Sequence, residues 1–289
     1  MSPPEEIRLE VDGLKLAGRA WGPTDGRPAL ALHGWLDNAA SFDRLAPSFP
    51  ELRLVALDMP GHGRSAHRGQ DAPYHFVDAV ATVAHVIEAL GWTRLTLIGH
   101  SMGAGIAALL AGTWPERFDA VAFLEGLGPI AESVEASPQR LANAVADEIR
   151  RGRRRASGSN KRVFATRDEA RDRLVDVQRV DPESAEILCS RGLVEAQGGF
   201  RWAADPRLRH PSRLRFTEDH VLHFLSRIKA PALLVRANDG WPIEQTLMRA
   251  RVERVSDLEV TEVEGRHHVH LDAPNRVVPA LRGLLERTA

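Results

Sequence analysis

Ser101 is the residue whose surroundings most clearly announce chemistry. It stands in Gly99-His100-Ser101-Met102-Gly103, a G-x-S-x-G pattern, between the apolar run LTLIG (95–99) and a run of small residues ending near Gly112. A strand that stops at such a serine and a helix that starts just beyond it hold the hydroxyl on a sharp, strained turn, and small flanking residues let the two backbones approach. The helix N-terminus then favours the negative charge that develops when a carbonyl is attacked. A serine at its ordinary pKa is a weak nucleophile, so it needs a base, and the base needs an orienting carboxylate. On this kind of turn the chain order is Ser, acid, His. The late stretch EVEGRHHVHLDAP (262–274) offers His267, His268 and His270. His267, directly after the last strand signal, is the expected base. His268 is its rival, and His270 suits packing. Two acids close strand-like runs: Glu125 ends VAFLE and Asp239 follows ALLVRAN. Both would lie at the carboxyl edge of an open α/β sheet, where sites form, and either suits the imidazole N–H.

The elements that must position these groups are legible as alternating patterns. IRLEV and LKLAGRAW flank Asp12-Gly13 and predict a hairpin. ALAL (29–32), LRLVAL (52–57), LTLIG, VAFLE (121–125), ALLVRA (232–237) and LEVTEV (258–263) predict strands. FVDAVATVAHVIEAL (76–90) carries helical spacing up to Gly91, Ser101 to Gly112 predicts a second helix, and a last one covers about 275–287. Strands alternating with helices imply an α/β fold with a mostly parallel central sheet flanked by helices. The stretch 128–227 breaks the rhythm, is rich in charged helix formers and has few strand signals. It is expected to be a helical cap inserted into a core made of 1–127 and 228–289. Within it, RRGRRR (150–155) is flanked by acidic residues and is expected to be a solvated helix end and loop.

Composition narrows the function classes. The chain has 289 residues, 43% hydrophobic and 27% charged, with net charge -1, enough for a sizeable core and without the basic excess of a nucleic-acid binder. The single cysteine, Cys189, excludes an intrachain disulfide and suits a reducing compartment. MSPPEEIRLEVDG lacks signal-peptide character, and no apolar run is long enough to span a bilayer. A cytoplasmic monomer or homodimer is expected, with no nucleic-acid partner and no stable membrane insertion.

Four motifs in this order, strand-HGW (from His33), DMPGHGRS (58–65), GHSMG (99–103) and GRHHVHLDAP (265–274), resemble the α/β-hydrolase superfamily. HGWLDNAASFDRL (33–45) makes the chain most similar to the serine hydrolase-like proteins. The resemblance covers roughly 10–127 and 228–287 and implies the α/β-hydrolase fold. It implies Ser101 as the elbow nucleophile. It also implies His267 as the base, because Asp272 and Pro274 follow it at the family's late spacing. Many relatives place the acid in the position of Ala237-Asn238-Asp239-Gly240, where Asp239 sits one place early. Some haloalkane dehalogenases place it after the sixth strand, as at Glu125, so Glu125 is taken ahead of Asp239. Dehalogenases use an aspartate nucleophile; Ser101 stands there instead, which disfavours halide and epoxide chemistry.

The expected reaction is carboxylic ester hydrolysis through an acyl-enzyme on a small-molecule ester or other acyl substrate, with Trp35 and Met102 giving backbone N–H groups to the oxyanion. His33, Gly34, Leu127, Phe164, Trp202 and Trp241 are the candidate pocket residues, each equally able to serve the core. In this reading His33 organises the loop, Gly34 lets the chain pass near the elbow, and Asp37 and Asn38 form an Asx turn and helix cap. No cofactor is required, and H-H-x-H without cysteines does not read as a metal site. Alternatives on the same groups are acyl transfer, lactone opening, carbon–carbon bond hydrolysis or cofactor-free haloperoxidase chemistry. A further alternative is a non-catalytic binding protein of the same fold.

Overall fold

The computed structural model describes residues 3–70, 72–156 and 163–288, without the side chains of 152–156. β1 (Glu5–Val11) and β2 (Leu14–Trp21) form the expected hairpin. Asp12 and Gly13 both have positive φ, 49° and 71°, the backbone that matches a tight hairpin to strand twist. β3 (Arg27–Leu32), β4 (Leu52–Leu57), α1 (Phe76–Ala89), β5 (Leu95–His100), α2 (Met102–Thr113) and β6 (Phe118–Leu124) follow. The insertion holds α3 (Ser137–Ala156), α4 (Arg167–Gln178), α5 (Pro182–Gly192), β7 (Leu193–Ala196), β8 (Gly199–Trp202) and α6 (Glu218–Ser226). The chain then completes the sheet with β9 (Ala232–Asp239), α7 (Gln245–Val252), β10 (Leu258–Arg266), α8 (Val269–Asp272) and α9 (Pro274–Glu286).

The eight-stranded sheet has the order β1-β2-β4-β3-β5-β6-β9-β10. Only the β1–β2 and β2–β4 pairings are antiparallel; from β4 to β10 neighbours run parallel. Parallel strands are covered on both faces, which is why ALAL and LRLVAL are continuous apolar runs and not alternating ones. Leu30, Leu97 and Phe123 pack on one face with Val86 of α1 and Leu110 of α2. Ala29, Ile98 and Ala122 pack on the other with Leu281 of α9. The common direction brings the carboxyl ends of β3, β5, β6 and β9, and so Ser101 and Glu125, to one edge.

The insertion departs from the sequence expectation in one respect: it contains the β7–β8 hairpin. Four-residue strands are too short to show alternation. They are held by an extra pairing of Phe164 with Phe200 and by a small cluster of Phe164, Ala170, Cys189 and Leu193. α6 returns to the sheet layer and rests on α2. A Cβ on Gly112 would stand 2.4 Å from the Phe224 carbonyl oxygen, so only glycine admits this contact. The basic run 150–155 lies at the end of α3, where Arg150 and Arg151 pair with Asp147. The side chains of its last four residues lie outside the described ones. Among the described residues no helix is long and apolar enough to cross a membrane.

Candidate active site

The serine turn has the geometry its glycines imply. Ser101 has φ 51° and ψ -110°, a strained conformation for a residue with a side chain, between the end of β5 and the start of α2. Its N–H is bound by Leu124 O at 2.9 Å. A Cβ on Gly99 would fall 2.4 Å from Gly103 O, and one on Gly103 would fall 2.1 Å from Leu32 O. Both glycines are therefore required by backbone contact between strand, helix and β3.

His267, just past β10, stands with Nε2 2.9 Å from Ser101 Oγ and Nδ1 3.2 Å from Glu125 Oε2. In the tautomer that satisfies both contacts, the Ser101 hydroxyl donates to Nε2 and the Nδ1–H donates to Glu125. Glu125 is buried and has a left-handed backbone, φ 56°. Its N–H continues the ladder to Val235 O, while its carboxylate accepts the N–H groups of Ala237 and Trp241. The segment after β9 wraps this carboxylate so closely that a Cβ on Gly240 would lie 2.0 Å from Oε2. Asp239, the other sequence candidate, does not meet His267. It is exposed and ion-paired to Arg179, 2.6 Å away.

The remaining sequence candidates divide by position. Trp241 is 56% exposed with its ring 5.5 Å from that of His267, and Trp35 is 49% exposed with its indole N–H bound to Leu208 O of the insertion. Met102 is half-buried at the start of α2. Leu127 is fully buried in the sheet–helix core, and Phe164, with Trp202 stacked edge-on against it, belongs to the insertion's own cluster. Leu127 and Phe164 are packed side chains and not an open wall. His33 is completely buried; its Nε2 accepts the Met59 N–H and its Nδ1–H donates to Gly34 O. That bonding makes it a loop organiser, as the sequence implied. Asn38 caps the turn at Ala39–Phe42 by accepting the Ala40 N–H, and its amide also donates to Leu188 O of α5.

Behind the triad lies a buried group that no single motif announces. Asp37 Oδ2 is 3.2 Å from His268 Nε2 and 3.5 Å from His100 Nδ1, and the three donor atoms lie within 4.8 Å of one another. Burial pulls His100 down to about 4 and holds His270 well below its ordinary value. Burial also opposes the charges of Asp37 and His268, but the pair outweighs it: the imidazoles hold the Asp37 carboxyl well below the carboxylate range, and Asp37 raises His268. The pairing thus favours a carboxylate on Asp37 and a proton on His268. His270 Nε2 bonds the Ser41 hydroxyl.

A second buried charge, also missed from sequence, joins insertion to core. Arg191 of α5 donates through Nε to both oxygens of Asp58, at 3.0 and 2.8 Å, and through a terminal nitrogen to Glu6. Asp58, from DMPGHGRS, further accepts the N–H groups of Ala39 and Arg64. A Cβ on Gly63 would strike its carboxyl at 2.3 Å, so this motif is the socket for Arg191. The signal was present in the motif's spacing; its partner lies far along the chain.

Comparison with known proteins agrees with this geometry. Residues 30–274 match the family model described as alpha/beta hydrolase fold. A serine hydrolase-like protein of Danio rerio is 37% identical over 97% of this chain and 88% of its own length. The crystal structure of a hypothetical protein from Pseudomonas aeruginosa PAO1 superposes with a TM-score of 0.91 at 40% identity, covering 98% of this chain and all of that one. A thioesterase domain from the curacin biosynthetic pathway superposes with a TM-score of 0.83 at 25% identity, covering 98% and 100% of the two chains.

Proposed function

Since the chain belongs to the α/β-hydrolase fold family, is related to the serine hydrolase-like proteins and is a hydrolytic enzyme acting on ester-like bonds, we infer that it cleaves carboxylic esters of small molecules with Ser101, His267 and Glu125 as its triad. The observation that carries this is the continuous contact from Ser101 Oγ through His267 to Glu125, at 2.9 and 3.2 Å.

In acylation, His267 Nε2 takes the hydroxyl proton as Oγ attacks the ester carbonyl. Glu125 stabilises the imidazolium without itself taking the proton. The oxyanion is held by two backbone N–H groups. Met102 opens α2 and so has no intrahelical acceptor, and Trp35 has no acceptor for its N–H among the described residues. The imidazolium protonates the leaving alcohol, the acyl group stays on Oγ, and His267 then activates water for deacylation. Trp35 and Trp241 flank the mouth as apolar walls, and the part of the insertion that carries α4, α5 and the β7–β8 hairpin acts as a cap over the core, tied to it through Leu208, Leu188 and Arg191, while α6 belongs to the core layer. The lone buried thiol Cys189 suits a cytoplasmic setting.

Thioester cleavage is the second reading, favoured by the likeness to a thioesterase domain, and it uses the same groups. A fluorophosphonate probe tests the nucleophile: wild type is labelled and folded Ser101→Ala is neither labelled nor active. Unlabelled, folded wild type would refute the proposal. Turnover of p-nitrophenyl esters against S-acyl thioesters of equal chain length separates the two readings.

A further inference from the structure

Three loops must keep register for the proposed chemistry: the one with Trp35, the elbow with Ser101, and the turn with His267. They meet at one buried carboxylate. Asp37 is two residues from Trp35, and its N–H closes a turn onto Gly34 O at 3.2 Å. Its carboxylate faces His268, the neighbour of His267, and His100, the neighbour of Ser101. His100 in turn donates its Nε2–H to the His267 backbone carbonyl at 2.9 Å. That commitment leaves the Nδ1 of a neutral His100 as a lone pair, unpartnered and aimed towards Asp37. Gly34 fits against both groups only because it lacks a side chain: a Cβ there would stand 2.8 Å from His100 Nδ1 and 2.9 Å from Asp37 Oδ2.

We propose that Asp37, through its buried pair with His268, is a positioning residue that holds the oxyanion loop in register with the turn of the base, which the His100 bond to the His267 carbonyl ties to the nucleophile. This deepens the serine hydrolase reading and rests on it for its kinetic consequences. The physical case is that the carboxylate cannot be left unpaired in a dry site, because removing one partner of such a pair leaves an uncompensated buried charge. The loops are therefore held together while His268 carries its proton. The groups facing His268 are Asp37 from the oxyanion loop, Glu125 from the end of β6, His100 from the elbow, and His267, His270 and Asp272 from its own turn. Of these, Asp37 is the carboxylate in hydrogen-bond contact with it. His268 is raised from its ordinary value, so the pair is complete below about 6.5 and is lost as pH rises through the raised pKa.

The test measures kcat, KM and fluorophosphonate labelling rate in wild type, Asp37→Ala, His268→Ala, the double variant and His268→Gln. Each single alanine variant is expected to lose about 100-fold in kcat with KM within about threefold, since a misplacement near 1 Å costs about that much. The double variant should lose no more than the worse single one. His268→Gln, which keeps an N–H donor, should recover at least about tenfold over His268→Ala and lack the high-pH fall of kcat expected of wild type. Folded alanine variants with near wild-type kcat, or losses that multiply in the double variant, would overturn the proposal. Should Asp37→Ala not fold, the His268→Ala and His268→Gln pair decides. NMR titration of the His268 ring judges the coupling without turnover: Asp37→Asn should lower its pKa by about one unit or more, and an unmoved titration refutes the pairing. Wild type inert to probe and ester refutes the hydrolase reading, while the NMR result still decides for Asp37.

Discussion

At the scale of single residues, two carboxylates compete for one imidazole, and burial separates them. Glu125 is held by two backbone N–H groups and by His267, so its charge is fixed in place where water cannot substitute for it. Asp239 is exposed and shares its charge with Arg179, where solvent screens it. Glu125→Gln is accordingly expected to lower kcat by about 10³–10⁴-fold, the scale seen when a triad acid is made neutral, while Asp239→Asn changes it by less than about threefold. Steady-state kinetics on a p-nitrophenyl ester checks both. Cys189 is a further single-residue case. It is buried beneath the β7–β8 hairpin, and burial pushes its thiol up to about 12. Native protein should resist iodoacetamide at neutral pH and react only on unfolding, as mass spectrometry would show.

At the scale of elements, glycines and one arginine set how strands, turns and the insertion meet. The turn after β9 closes on Glu125 only because residue 240 has no side chain. Gly240→Ala should therefore reproduce most of the kcat loss of Glu125→Gln while the acid itself remains, a result that circular dichroism and kinetics together would establish. Arg191 and Asp58 have wholly buried side chains. Arg191→Ala leaves Asp58 buried and unpaired between β4 and α5 and is expected to cost about 3–5 kcal/mol in urea unfolding. Asp58→Asn combined with Arg191→Ala should cost less than the sum of the two, because both act on one contact.

At the scale of the whole molecule, a parallel sheet carries the site at one edge, and the insertion is fastened to the same edge through Trp35, Asn38 and Asp58. Stability and activity are coupled there by charge. Asp37 has a depressed pKa, so its contribution is present above the ordinary carboxylate value near 3.8 and is lost as pH falls through the lowered pKa. His268 contributes in the opposite sense and is lost towards high pH. Thermal melts against pH should show a maximum between these limits, and Asp37→Asn should flatten the wild-type profile on both sides.

Much of this was legible in the chain. The strand runs, the hairpin at Asp12-Gly13, the serine turn and the late histidine stand in local patterns, because backbone period, φ > 0 and small-residue contact are decided within a few residues. The short β7–β8 hairpin was not legible, since four-residue strands carry no periodicity. Nor did sequence alone settle Glu125 against Asp239. Both close apolar strands, and only packing decides which carboxylate is enclosed and which meets solvent. Asp37 with His268 and Asp58 with Arg191 are more than 100 residues apart in the chain. Local sequence names no partner for any of them, and the pairing energy exists only once the fold has removed both charges from water. Local sequence thus marked the scaffold and the serine turn, family resemblance helped single out His267 from its neighbours, and tertiary burial decided which charges are partners.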